Sequence, residues 1–556
     1  MKTKIILILI FIFGFTLRLC GLNWDQGQHL HPDERFLTMV SSDISLPKTI
    51  SEYLNPQTSS LNPYNRNYSF YVYGSFPISL VRIIAESFHL ADYNHIYLVG
   101  RYLALILDSL IIILIFYTSR KITNSNSSLI ASFLYAICVL PIQLSHFFTV
   151  DPFLNFFIFL CFYFLLQLHQ ARHPLRTTIL LSISFSFALA SKISAVYFSP
   201  VILLGFIFTF KKNFKLFFKY GFIFLIATIL IFRFSQPQVF TDSNYLHWTI
   251  NPQFVSNLNQ LKKWDKNPYF PPAIQWIKVI PIIFPLKNII FWGLGLPFGF
   301  IFLTSFFFIC FNFKSFSQKS NLFLVLFWIV FLFIFQGVQA VSTMRYFLPI
   351  YPFICIVSAV LINLVLNIKF IKTHLLLKLL ILTPLIVYPL MFLSIFLKDH
   401  TRLSASLWIY KNVPYGSVIA TEYWDDALPI SVGQFSPSSY QNQSIHIADV
   451  EETDPSKINK IKQQLNQSDY YILSSNRFYK PIPENSDLFP ETTKFYQSLF
   501  NGSLGFNKIA EFSSYPCFPP IGKSWFCFND DQSEEAFTVH DHPKIIIFEK
   551  SSRNSR

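Results

Sequence analysis

Charge is thin in this 556-residue chain: Asp, Glu, Lys and Arg together make up 13%, and the acids number only 30. That is too little to cover the several soluble domains a chain of this length would ordinarily form. Glycine is scarce as well, at 16 residues. This speaks against the repeated, glycine-interrupted half-helices that meet at the midplane of many secondary transporters. The seven cysteines show no zinc-binding spacing. Five of them (Cys20, Cys138, Cys161, Cys310 and Cys355) stand in apolar runs, where a thiol behaves as a small hydrophobe. Cys517 and Cys527 lie in a polar region and are free to form one disulfide if that region faces an oxidising compartment.

What the chain has instead is apolar length. Hydrophobic residues reach 52% and phenylalanine alone counts 66, for a mean hydropathy of +0.41. Repeated runs are long enough to cross the ~30 Å hydrocarbon core of a bilayer. Eleven such spans are expected, near 5–22, 97–117, 127–144, 153–169, 177–191, 194–210, 220–234, 287–311, 322–338, 346–366 and 379–397. The net charge of +14 is concentrated in short loops between them, as Arg120-Lys121, Arg172 with Arg176, Lys211-Lys212 with Lys215 and Lys219, Lys314 with Lys319, and Lys369 with Lys372 and Lys378. With a cytoplasmic N-terminus, all these clusters fall on the cytoplasmic side, as the positive-inside rule requires. The charge therefore reports topology and gives no support to nucleic-acid binding.

The expected architecture is an α-helical polytopic membrane protein with about 11 transmembrane helices over residues 1–397 and a small α/β domain over 398–556. Insertions 23–96 and 235–286 and the C-terminal domain then lie outside, and the protein sits in the plasma membrane. The first insertion is rich in tyrosine, with surface helices expected at 34–42 and 78–88. In the C-terminal region, β-rich runs at 417–422, 470–474 and 544–550 alternate with helical patterns at 404–412 and 456–464.

Residues able to carry chemistry gather at the outer ends of the spans. His31-Pro32-Asp33-Glu34-Arg35 follows the first span; proline and acids also make a good helix start, so these residues serve structure equally well. Asp151, in the loop that begins Ser145-His146, is flanked by aromatic residues, and a partly desolvated acid at a membrane boundary is a functional candidate. Lys192, Arg345 with Tyr346, and Arg101 stand at other outer ends. Each cation alone is explained by snorkelling, but together they surround the acids with charge suited to an anionic lipid head group. His29, His31 and Asp33 alternate in a way that admits a divalent metal only weakly. Arg18 and Asp108 are charges inside spans and are expected to pair.

This sequence of features resembles the C-type membrane glycosyltransferases that use lipid-phosphate sugar donors, a group (family 39-like) including protein O-mannosyltransferases and lipid A aminoarabinose transferases. The resemblance spans about residues 1–397. It implies Asp33 as catalytic base, Glu34 as its paired acid and Asp151 as a second acid at the active site. It also implies Lys192 and Arg345 as cations near the carrier phosphate; Arg101 and Tyr346 are candidates for the same contact by their position at the outer ends, and His31, Arg35 and His146 are further candidates. His31-Pro32 and the domain from 398 onward depart from the mannosyltransferase pattern. The implied reaction moves a hexose or mannose-like sugar from a polyprenyl-phosphate carrier to a hydroxyl of a protein, glycolipid or polysaccharide. No cofactor is required, because the leaving phosphate has a second pKa near ~6 and needs no general acid. A transporter or a membrane-anchored binding scaffold remain the alternatives.

Overall fold

The computed structural model describes residues 2–551 except 268 and 449. Each expected apolar run is helical. Among the described residues, eight helices are long and apolar enough to cross a membrane, or nine if the bent pair Ser125–Ala136 and Val139–Ser145, meeting at 53°, is one span. Two of the eleven expected spans stand apart from this set. The first helix, Lys2–Leu19, carries three charges, and Leu296–Phe311 has only 16 residues. The protein is a multi-pass membrane protein.

Two breaks have local causes. Pro141 has no N–H to offer the carbonyl four residues earlier, and the bent pair parts at Ile137–Cys138. The expected span 287–311 is interrupted by a π turn at Ile289–Gly293 before Leu296–Phe311 begins. Gly295 takes φ +83°, and a Cβ there would lie 2.5 Å from the Tyr388 ring, so only glycine fits the turn.

The bend at Ile137–Cys138 is tied to the deepest charge pair. Arg18 Nε meets Asp108 Oδ2 at 2.6 Å with both side chains fully buried. The same guanidinium donates to the Tyr135 and Ala136 carbonyls at 3.1 and 3.0 Å, at the end of the first half of the bent pair. The Tyr135 hydroxyl donates to Asp108 at 2.6 Å. Around this polar knot the bundle interior is aromatic: Phe159 and Phe162 pack on Phe353, and Phe198 on Trp328.

The C-terminal region is the α/β domain expected. Strands β1 (Val418–Glu422), β2 (Gln441–Ile445), β3 (Tyr470–Leu473), β4 (Phe506–Phe512) and β7 (Ile545–Lys550) form one sheet in the order β2-β1-β3-β7-β4. β1 runs parallel to β2 and β3, whereas β7 is antiparallel to β3 and β4. Alternation along β3 sends Tyr471 and Leu473 toward helices Lys457–Gln467 and Pro490–Phe500, and Tyr470 and Ile472 toward helix Thr401–Asn412. A short hairpin of β5 (Cys517–Phe518) and β6 (Phe526–Cys527) is closed by the Cys517–Cys527 disulfide.

Replacing Asp108 by asparagine leaves Arg18 buried without a counter-ion. Unfolding of the Asp108→Asn protein in detergent should show a loss of ~3–5 kcal/mol. The double variant Arg18→Met/Asp108→Leu should remain well below wild type, because it strands the Ala136 carbonyl and leaves the Tyr135 hydroxyl without its acceptor.

Candidate active site

His31 caps the helix Pro32–Asp43, its Nδ1 accepting from the Glu34 N–H at 3.4 Å. Asp33 and Glu34 occupy the first turn, where successive side chains diverge by about 100°. They therefore enter different surroundings.

Glu34 points inward and is fully buried. It accepts from Arg101 Nε and Nη2 at 3.0 and 2.5 Å and from the Phe148 N–H at 2.7 Å. Arg101 also contacts Asp25 at 3.0 Å and donates to the Leu22 carbonyl at 2.9 Å, with its guanidinium over the Trp24 and Tyr97 rings. Burial pushes the Glu34 carboxyl upward, against the opposing pull of Arg101. The donors and acceptors of this cluster are used internally. Arg101, expected at the carrier phosphate, and Glu34, expected beside the base, are thus placed in a sealed structural network rather than on an accessible surface.

Asp33 points the other way. Its Oδ2 lies 2.6 Å from Arg345 Nη1, and it accepts a hydrogen bond from the Tyr73 hydroxyl. Asp151 Oδ1 meets Lys192 Nζ at 2.8 Å, and its Oδ2 is 3.6 Å from Arg345 Nε. Lys192 sits 4.5 Å from the centre of the Tyr346 ring and Arg345 5.7 Å. The side chains of Asp33, Arg345 and Lys192 are 26%, 23% and 21% exposed, so solvent or a ligand reaches this cluster, unlike the Glu34 network. Burial raises the Asp33 carboxyl, but Arg345, with His31 and the Tyr73 hydrogen bond, outweighs it and holds the group well below the usual carboxylate range.

The backbone sets this spacing. Helix Pro174–Ser191 ends at Lys192, which is extended. The Gly74 N–H donates to the Ser191 carbonyl at 3.1 Å, and a Cβ on Gly74 would lie 1.9 Å from the Ala190 oxygen. The first insertion is thereby pressed onto the Lys192 turn, and Tyr73, next in line, is delivered to Asp33.

The other candidates are drawn elsewhere. His31 is buried between Phe147 and His540, with ring centres at 4.7 and 4.1 Å, and burial lowers it to about 4. His146 has Nδ1 2.7 Å from the Ile142 carbonyl and Nε2 2.9 Å from that of Cys20, and its ring stacks on Phe396. Arg35 reaches away from the cluster to Asp426 of the C-terminal domain at 2.6 Å, and Asp426 also pairs with Arg402 at 3.0 Å. His29 packs on Tyr93 and Tyr97. His29, His31 and Asp33 do not converge, and among the described residues no group of three metal-binding side chains forms.

Two contributors went unnoticed in the sequence. Tyr73 was hidden among the many tyrosines of the first insertion. Glu534, in the C-terminal domain, accepts from the Thr343 hydroxyl at 2.7 Å and the Met344 N–H at 2.9 Å, directly before Arg345. Nothing in its local sequence signals that contact. The neighbouring stretch is fixed by His542, which lies 2.9 Å from Asp530 and 2.5 Å from Asp541, and by Gln143, which donates to Asp541 and to the Phe537 carbonyl.

A family model described as dolichyl-phosphate-mannose-protein mannosyltransferase matches residues 83–235, which include Asp151 and Lys192. None of the curated proteins matches the chain. Among solved structures, the apo oligosaccharyltransferase of Archaeoglobus fulgidus superimposes with a TM-score of 0.56 at 12% identity, covering 99% of this chain and 88% of that one. The fold is that of the C-type membrane glycosyltransferases. Another structure of the archaeal enzyme, with an inhibitory peptide and a dolichol-phosphate, gives a TM-score of 0.51 at 12% identity over 86% of this chain and 70% of that one. ArnT of Cupriavidus metallidurans, in the apo state, gives 0.42 at 10% identity over 93% and 96%. The matched family is named for a mannosyltransferase and the archaeal enzyme for an oligosaccharyltransferase, so both transfer sugars.

The two adjacent acids of this transferase fold should separate in a stability measurement. Glu34→Gln breaks a buried pair and should lower unfolding free energy in detergent by ~3–5 kcal/mol. Asp33→Asn disrupts a partly exposed pair and leaves Arg345 with Asp151 as a partner, so it should cost clearly less than Glu34→Gln.

Proposed function

We propose that the protein transfers a sugar from a polyprenyl-phosphate carrier to an acceptor hydroxyl at the outer face of the plasma membrane. The observation that carries this reading is the accessible cluster in which Asp33 and Asp151 share Arg345, and Asp151 also holds Lys192. An acid able to take a proton stands beside two cations able to hold a phosphate. The dolichol-phosphate bound by the archaeal neighbour supports a lipid-phosphate carrier.

In this mechanism the acceptor oxygen attacks the anomeric carbon as the bond from that carbon to the phosphate oxygen breaks. The acceptor proton passes to Asp33, and the carrier phosphate leaves as an anion between Lys192 and Arg345, beside Tyr346. Direct displacement inverts the sugar carbon. No cofactor is needed, since the two cations neutralise the charge that develops on the leaving group. In the resting protein Arg345 makes Asp33 a poor base; an arriving phosphate competes for the guanidinium and restores the basicity of the carboxylate. Asp151 positions Lys192 and Arg345, and Glu34 and Arg101 hold the framework behind them. The basic loops support a cytoplasmic N-terminus and an extracytoplasmic C-terminal domain. The acceptor belongs to a protein, a glycolipid or a polysaccharide.

The purified protein in lipid should release or transfer labelled sugar from at least one member of a panel of polyprenyl-phosphate sugars. Asp33→Asn should lower turnover by ~10²–10⁴-fold. Lys192→Ala and Arg345→Ala should chiefly raise the donor KM. Full turnover by Asp33→Asn would overturn the assignment of the base.

The pH profile supplies a separate check. A carboxyl held below its ordinary value stays ionised until the pH falls through that lowered value, below the ~3.9 of a free aspartate. The kcat/KM profile, which reports the free enzyme, should therefore show no acid limb from Asp33 above about pH 4.

A further inference from the structure

The β5–β6 hairpin takes no part in the site. Its tip is nevertheless unusually apolar for a surface loop: Ile521, Trp525 and Phe526 are 73%, 81% and 60% exposed, with Lys523 between them. Three large apolar side chains facing outward within six residues mark a contact surface.

Its position identifies the contact. The Cys517 N–H donates to Ser394 Oγ at 3.0 Å, near the end of the helix Leu375–Phe396. Phe528, just beyond β6, packs with its ring centre 6.0 Å from Tyr388 and 5.6 Å from Trp292. Tyr388 is eight residues before Phe396, hence ~12 Å down the helix at ~1.5 Å per residue. Phe528 thus reaches below the end of a membrane-spanning helix. Beside Trp292, Phe291 and Leu296 are also exposed, at 40% and 39%, so the surface next to the hairpin is itself lipid-facing.

We propose that the hairpin is a membrane foot: Ile521, Trp525 and Phe526 enter the bilayer interface on the side of the C-terminal domain, with Lys523 among the head-group phosphates. Tryptophan is suited to that depth, and the apolar surface is continuous with that of the neighbouring span. The disulfide ties the two arms of the foot together. Three residues after Cys527 begins the stretch Asp530–His542, which holds Glu534 against Thr343 and Met344. Lipid contact at the tip therefore seats the same segment that buttresses the start of the Arg345 helix. The inference rests on the membrane fold and is independent of the sugar chemistry.

The test uses full-length protein in phosphatidylcholine vesicles, wild type beside Trp525→Phe. The substitution keeps a ring at a residue whose side chain is almost wholly exposed, and an unchanged melting temperature would show that the fold is intact. The fluorescence difference between the two proteins isolates Trp525. Phospholipid brominated near the top of the acyl chains should remove most of that difference signal, and aqueous acrylamide should leave it nearly unchanged. Quenching by acrylamide without quenching by brominated lipid would put the hairpin in water and overturn the proposal. Protection from both quenchers would overturn it too, by placing a protein surface over the tip.

Discussion

The Arg101 guanidinium holds the site end of this molecule together. It is fully buried, sandwiched by Trp24 and Tyr97, and bonded to Asp25, Glu34 and the Leu22 carbonyl. Glu34 in turn accepts from the Phe148 N–H. One cation thus joins the end of the first helix, the helix that carries Asp33, the helix Tyr93–Ser119 and the loop that leads to Asp151. Its fully desolvated charge is tolerable only with both carboxylates in place, so these elements assemble together or not at all. The spacing between Asp33 and Asp151 follows from that assembly.

The second organising feature is the alternation of charge in the accessible cluster. Asp33, Arg345, Asp151 and Lys192 neutralise one another, so the site carries no net charge in the resting protein. Such a site is stable without a ligand, yet any phosphate that enters must break ion pairs to be held. In the proposed reaction, binding of the carrier phosphate and release of Asp33 to act as base are then a single exchange of partners.

Much of this was readable in the sequence, for reasons that differ by residue. Alternating apolar runs and basic loops fix which ends of the helices share a side, and that alone brings Asp33, Asp151, Lys192, Arg345 and Tyr346 to one end. The strands and helices of the C-terminal domain follow from ordinary periodicity. Burial was not readable. Arg101 and Glu34 are 67 positions apart, and nothing in either neighbourhood shows that they meet in a sealed pocket. Arg35 looked like part of the acidic motif, but it follows Asp33 by two residues, and the rotation of about 200° carries it from the Asp33 cluster to Asp426. Tyr73 and Glu534 reach the site through tertiary docking alone, for which a single sequence has no periodic signal.

The seam between Gly74 and the Ala190–Ser191 carbonyls has a wider implication. Main chain rests on main chain there, with no side chain between to be lengthened or trimmed. The distance from Tyr73 to Lys192 is accordingly a fixed ruler, written in backbone. In the proposed reaction, side chains that meet the sugar or the acceptor are at liberty to change, while the gap between Tyr73 and Lys192 stays constant. A scaffold of this kind changes its clientele without having to reinvent its reaction.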